Sequence, residues 1–312
     1  MRRFVFLSFA FVTALSSTAQ DTNKEKPATA WKTGGMFTLM GGQSGTRNWA
    51  PTGSEKLTFT GSASLNLFAT KKWGKNTWDN TADLSYATVY ARSIKTRKLD
   101  DKIDLYSKFS HSFANNLAWG LVGSLRTQFS NGYDFTETPK KRISGFFAPA
   151  YIVFSPGLQY ATNNNTFGVH VGPHVRWVVV TNAPYSLNYQ GGVKPDGTTE
   201  RTLADLYSVE PGREVRVEGG MFLSALFKKE IVKNVTYRTR LDITSDVIEA
   251  DNFVETDIYW TNTFTMSVNK WLKVNYSFDL YEDENVTMFG PAKNESRTQM
   301  RSLLGVGLGV SF

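Results

Sequence analysis

The chain has 312 residues, a length that fits one large domain or two ordinary ones. Its 35 Lys and Arg against 28 Asp and Glu give a net charge of +7, and the absence of cysteine excludes disulfides, thiolate metal sites and thiol nucleophiles. Past the first twenty residues no apolar run reaches the ~18 residues of a membrane-spanning helix, which excludes a helical membrane protein. Aromatics at 14% with 25 Gly suit strands and turns better than helices.

In chain order, residues 1–20 read as a secretory signal peptide: Arg2 and Arg3 supply the charged start, Phe4 to Leu15 the apolar core, and Ser17-Thr18-Ala19 the small residues before a cut beside Gln20. No Cys follows, so a lipoprotein anchor is not expected. Removing the signal leaves 33 − 28 = +5, too little over this length to argue for nucleic-acid binding. Residues 21–30, polar and carrying Pro27, form a periplasmic tether. Residues 31–312 are then one β domain.

From Trp31 onward the dominant signal is a period of two. A less clear first strand lies around 31–41. In 57–69 an apolar row (Leu57, Phe59, Ala63, Leu65, Leu67) alternates with a hydroxyl row (Thr58, Thr60, Ser62, Ser64). The same alternation recurs through Trp78–Tyr90, Ile103–Phe113, Leu117–Phe129, Ala148–Tyr160 and Phe167–Val179. It continues through Val215–Phe227, Val235–Ile243, Val254–Val268, Leu272–Leu280 and Met300–Phe312, for about twelve strands. Connections alternate in length. Short ones fall near 70–76, 114–116, 162–166, 228–234 and 269–271, and long ones at 42–56, 92–101, 130–146, 182–213, 246–253 and 282–298. That pattern predicts a single transmembrane antiparallel up-and-down β-barrel with short periplasmic turns and long extracellular loops. Two aromatic belts (Trp78, Trp119, Tyr160, Phe167, Phe227, Trp271 and Tyr90, Phe129, Trp177) suit the two membrane interfaces. The alternating strand that ends on Phe312 resembles the signal read by the barrel-assembly machinery, and the surrounding partners are outer-membrane lipid and lipopolysaccharide.

The non-apolar rows carry the candidate lumen charges. Eight are basic (Lys108, Arg126, Arg176, Arg216, Arg238, Arg240, Lys273, Arg301) and eight acidic (Asp79, Asp83, Asp104, Glu218, Asp242, Glu255, Asp257, Asp279). In a narrow interior such balanced charges pair with each other, because unpaired buried charge is costly. The competing reading is a basic track of Arg126, Arg176, Arg238 and Arg240 for anionic solutes.

Other constellations are weaker. His170 and His174 on a strand lie about 13 Å apart, too far for one zinc ion. His111-Ser112 invites comparison with outer-membrane phospholipases, but adjacent strand residues point to opposite faces, and the same-side Ser107 is again about 13 Å away. Tyr281-Glu282-Asp283-Glu284 lacks the ligand spacing of a calcium loop. No Walker-type loop, dinucleotide fingerprint or zinc-protease helix is present, so neither a cofactor nor an enzyme is expected.

The segments Asn48-Trp49, Trp78-Asp79-Asn80, Arg97-Lys98-Leu99-Asp100-Asp101-Lys102, Thr127-Gln128-Phe129-Ser130-Asn131-Gly132-Tyr133, Ile143-Ser144-Gly145-Phe146-Phe147-Ala148-Pro149-Ala150-Tyr151 and Gly157-Leu158-Gln159-Tyr160 resemble a family of Bacteroidetes outer-membrane barrels described as a domain of unknown function. The resemblance covers nearly all of the chain beyond the signal. It departs at Tyr207-Ser208-Val209, where the family implies Gly at the middle position. It implies a barrel in the outer membrane of a Gram-negative bacterium and supplies no site residues. The porin-like reading is therefore a narrow channel or small-solute transporter. The alternatives are a non-conducting interaction barrel that presents its loops and, third, a phospholipase-like enzyme.

Overall fold

The computed structural model describes residues 30–45, 57–136, 140–181, 201–210, 212–247, 255–292 and 294–312. The signal at 1–20, all of the tether except Ala30, Asn48-Trp49, and residues 182–200 of the expected loop at 182–213 lie outside those residues. Fourteen strands follow in chain order: β1 (Lys32–Gly45), β2 (Leu57–Trp73), β3 (Asn76–Ala91), β4 (Lys95–Ala114), β5 (Leu117–Thr127), β6 (Gly132–Asp134), β7 (Lys141–Ser144), β8 (Ala150–Ala161), β9 (Phe167–Val179), β10 (Val215–Val232), β11 (Val235–Asp246), β12 (Glu255–Ser267), β13 (Leu272–Glu282) and β14 (Gln299–Ser311). Twelve of them close into a barrel in the order β1-β2-β3-β4-β5-β8-β9-β10-β11-β12-β13-β14, and β14 pairs back with β1. β6 and β7 form a separate hairpin inside the long connection between β5 and β8.

One end of the barrel carries tight turns, the start of β1 and the end of β14. Gly74, Asn116 and Asn234 take positive φ there, at 54°, 62° and 66°. Two-residue hairpins need that conformation, and Gly and Asn adopt it at least cost. The other end carries the long connections, with one correction. The expected loop at 92–101 is mostly strand, because β4 starts at Lys95 and only Arg92–Ile94 connect it to β3. A bulge shifts the register between Ala87 and Thr88, and β4 then runs on beside β3, itself paired with β2 as far as Thr58–Ala91, beyond the last β4–β5 rung at Ile103–Thr127. The charged run Lys95–Lys102 is compatible with pairing there because it lies past the apolar girdle. The expected loop at 130–146 is likewise partly ordered as β6 and β7. At the turn end, β10 runs to Val232, so the expected link at 228–234 shrinks to Lys233 and Asn234.

The two sides of the wall differ in chemistry. Phe37, Leu39, Leu105, Trp119, Phe154, Val171, Met221, Trp260 and Leu308 point outward and are exposed, whereas Asp104, Arg176, Glu218, Arg240, Asp242 and Asp257 point inward and are buried. Apolar side out and charge in is the reverse of a water-soluble barrel. It leaves the outer girdle with nothing among the described residues to cover it, an arrangement that suits hydrocarbon. Trp31, Trp78, Phe113, Trp119 and Trp271 crowd the turn end; Trp31 packs on Trp78 at 5.5 Å and Phe113 on Trp119 at 5.3 Å.

The interior is not uniformly polar. Tyr106, Val122, Val153 and Phe222 form a buried apolar cluster that fills the side bounded by β4, β5, β8 and β10. The opposite side, along β1, β2 and β12–β14, stays hollow.

Candidate functional site

The site is a divided lumen, built by ion pairs that reach across the ring. Arg238 on β11 meets Asp83 on β3 at 3.0 Å, and Asn66 on β2 also donates to Asp83 at 2.8 Å. One layer up, Arg240 binds Asp104 of β4 at 2.6 Å and Asp242 of its own strand at 3.1 Å. Arg126 of β5 approaches Asp242 at 3.7 Å and lies 3.5 Å over the Tyr259 ring. Towards the loop end Arg176 is held between Glu218 and Asp257, with Thr244 at 3.2 Å, while Arg216 contacts Glu218 at 2.6 Å. Towards the turn end Asp79 faces Lys108 at 3.7 Å, and Lys273 donates to Ser267 at 2.7 Å. Arg301 of β14 is clasped by Asp100 of β4 and Asp279 of β13. Glu255 opens β12, and its side chain lies outside the described residues.

Each of the four arginines of the supposed basic track therefore sits against a carboxylate, and no uncompensated basic track forms. Asp100 and Asp283 take part in this network but escape the sequence reading. Asp100 hides because it shares the inward parity of Asp104 but falls in the stretch 92–101 that reads as a loop in the sequence. Asp283 hides because it sits in a loop, where it is 2% exposed and accepts from the Tyr281 hydroxyl and the Asn285 N–H. That buried geometry turns the acidic run at 281–284 into a loop anchor, and no metal-binding cluster occurs among the described residues.

Two hollows remain. The inner one, of about 420 Å³, is lined by hydroxyls and amides (Ser62, Ser64, Asn66, Ser85, Thr263, Ser277) and by Asp83, Asp104 and Arg238. The outer one, also of about 420 Å³, opens at the loop end and is lined by Tyr151, Tyr207, Tyr259, Tyr281 and Arg126. Lys102, Asp279 and Arg301 line both, so this single charged layer separates the two hollows.

A cap of loop residues leans over one side of the outer mouth. Leu203, Leu206, Tyr207 and Val209 pack on Val178, Val180, Ala148 and Val286 as a small apolar core. A short 3-10 turn at Asp205–Tyr207 shapes it. Ser208 then takes φ 52°, the left-handed conformation that explains why Gly suits this position. Polar contacts pin the cap: Tyr207 donates to the Ile143 carbonyl at 2.8 Å, Ser208 to the Asn285 carbonyl at 2.9 Å, and Arg201 reaches Asp205 and Thr287. Burial, and then the nearby Asp283 carboxylate, push the Tyr207 hydroxyl well above its ordinary pKa.

The histidines are structural. His170 Nε2 lies 2.9 Å from Ser155 Oγ, and Gln159 lies 3.3 Å from Nδ1 on the other side, an outline like that of a hydrolase triad. The proton directions oppose catalysis. Gln159 donates to Nδ1, so Nε2 carries the proton and donates to Ser155, whose own hydroxyl donates to the Pro173 carbonyl at 2.8 Å. Ser155 is fully buried, and none of the hollows above reaches it. His174 packs on Phe222, as His170 does, with ring centres 6.2 and 5.9 Å apart. His111 bonds Asn76 at 2.8 Å, and Ser107 joins Trp78 and Asn80 instead.

A closed barrel, apolar outside and ion-paired inside, defines the class of membrane-spanning β-barrels. Residues 42–133 match a family model described as a protein of unknown function (DUF3078). Among solved structures the chain is similar to the NanC porin, at 10% identity over 88% of this chain and 98% of that one, with a TM-score of 0.34. It is also similar to the translocator domain of the autotransporter NalP from Neisseria meningitidis (9% identity, 91% and 88% covered, TM-score 0.36) and to the outer-membrane protein OmpT of Vibrio cholerae (9%, 92% and 99%, TM-score 0.30). The search of curated proteins gives no match. At these levels nothing those proteins transport or translocate carries over to this chain.

Proposed function

We propose that this is an outer-membrane barrel of a Gram-negative bacterium that passes small polar solutes along an off-centre path, its tight turns in the periplasm and its cap outside. The chain is exported by its N-terminal signal and acts without a cofactor and not as an enzyme. The observation that carries the reading is the shared layer of Lys102, Asp279 and Arg301 between the two hollows. Movement of one side chain, Arg301, would join them into a continuous route on the hollow side of the barrel. Paired rather than one-signed charges favour small neutral or zwitterionic solutes over a strongly selective ion pathway.

The second reading, a non-conducting barrel that presents its loops, draws on the apolar cap over the mouth. Planar-bilayer recording separates the two. A conducting channel gives small discrete steps in the wild type and larger ones in Arg301→Ala. An inserted protein silent in both forms would leave the loop-presenting reading. Purification should require detergent, with heat-modifiable migration, and a water-soluble monomer would end both readings.

A further inference from the structure

The seam between β1 and β14 is paired over only part of its height. Rungs run from Gly35–Phe312 to Gly41–Val306 and stop. Within that stretch the strands are pressed together: a Cβ on Gly307 would lie 2.0 Å from the Leu39 carbonyl oxygen, so only glycine permits the approach. Above it both strands go on, each with its other neighbour. β1 pairs with β2 as far as Gly45–Leu57, and β14 pairs with β13 from Gln299–Tyr281. Had the β1–β14 ladder continued, Gln43 would face Leu304. Instead the two edges stand unpaired with each other towards the loop end.

The inner hollow reaches this gap. Gly42 on one edge and Leu303, Leu304 and Gly305 on the other are part of its lining. Outside, Met300 and Leu304 are each 71% exposed, and Phe59, the β2 partner of Gln43, is exposed beside the other edge. A chamber of hydroxyls and paired charges therefore meets the apolar girdle through a break in the wall. Among the described residues no strand covers these two edges, and unpaired backbone donors and acceptors facing hydrocarbon are costly, so the gap needs a polar group in it.

We infer that this gap is a lateral portal and binding site for a single-chain phospholipid with a zwitterionic head group. The head lies in the chamber and the acyl chain remains outside against Met300, Leu304 and Phe59. The charge pattern selects the head. Asp83 with Arg238, Asp104 with Arg240, and Asp100 and Asp279 with Arg301 offer both signs within one small space. A zwitterion finds a partner for each of its charges there, whereas a net anion finds a carboxylate beside every base. The inference rests on the membrane reading above and is independent of axial conduction.

The natural absence of cysteine makes the test clean. In the full chain reconstituted in bilayers, Leu39→Cys with Leu308→Cys spans a paired rung, and Gln43→Cys with Leu304→Cys spans the gap. Mild oxidation should close the first pair and leave the second reduced, with only a longer bifunctional maleimide bridging it. A lysophosphatidylethanolamine carrying a photoreactive acyl chain should label the 300–304 segment, and bridging the gap should cut that labelling about tenfold. The same chain on a lysophosphatidylglycerol head should label it far less. A Gln43→Cys/Leu304→Cys disulfide that forms as fast as the control would overturn the portal. So would labelling spread evenly to Leu105 and Phe154, or equal labelling by both heads. Single-channel recording of the bridged protein keeps the ideas apart, since bridging the gap leaves any axial conductance in place.

Discussion

Arg238 of β11 and Asp83 of β3 form an ion pair at 3.0 Å although their strands stand on opposite sides of the ring. Such a strut fixes the barrel's width at mid-height. Arg240–Asp104 repeats it one layer up, so the interior is braced across its diameter rather than merely lined with charge.

The two struts should differ in worth. Arg240 and Asp104 are 5% and 4% exposed, so Arg240→Ala leaves a deeply buried Asp104 without its ion-pair partner and leaves Asp242 with only Arg126, 3.7 Å away. The expected loss is about 3–5 kcal/mol. Arg238 and Asp83 are more exposed, at 26% and 14%, and water screens much of the same loss there. Heat-modifiable gel migration should place the Arg240→Ala midpoint well below that of Arg238→Ala. Equal midpoints would show that the difference in exposure between the two pairs carries no energetic weight.

Arg301 should control both the size and the sign of any current. Arg301→Ala removes one of the two bases, with Lys102 the other, from the layer between the hollows and leaves Asp100 and Asp279 without their arginine. Reversal potentials under a salt gradient should shift towards cation preference, and Asp279→Asn should shift them the other way. Unchanged selectivity in both variants would place the current elsewhere.

The cap should open without the barrel. Leu206→Ala should cost the cap about 2–5 kcal/mol, because the residue is 5% exposed in a small core. Limited proteolysis should then cut near 201–209 while the barrel's melting is unchanged. A common midpoint for loop and barrel would refute their independence.

Alkali should act on the same element. Burial raises the Tyr207 pKa in the folded state, so its contribution is fully present below the unfolded tyrosine value of about 10 and is lost as pH climbs from there. Protease sensitivity of the cap should rise above about pH 10. Tyr207→Phe, which cannot ionise, should flatten that rise at a cost of about 1 kcal/mol at neutral pH.

Closure depends on the last residue. Phe312 exchanges two backbone hydrogen bonds with Gly35, at 2.9 and 3.1 Å, and they form the lowest rung of the seam. Deleting Phe312 should reduce folded protein in the membrane far more than an equal deletion in the tether at 21–30. Normal levels would separate the seam from assembly.

The strands were legible because period-two alternation survives wherever one side of the wall meets a uniform solvent. Leu57–Ala69 and Met300–Phe312 show it almost without interruption. The extent of β4 was not, because Lys95–Lys102 obeys pairing with β3 rather than burial. Parity marks which strand residues share a side but not their partners: Asp83 and Arg238 are 155 positions apart, and only the closure of the ring brings them together. Phe222 and Val122 escaped because inward apolar residues have no signature once the interior is taken as polar throughout. The cap also lay beyond reach, since Leu203, Leu206 and Val209 carry no periodicity that marks a loop as folded.

The one-sided filling of the interior has a mechanical consequence. Phe222, Val122 and the Arg176 cluster make the wall from β5 to β11 resist indentation, while β14, β1 and β2 back onto the inner hollow beside a half-fastened seam. Under changing membrane tension the cross-section cannot swell evenly. Its compliance is concentrated in three adjacent strands, which bend like a hinged panel on a rigid frame.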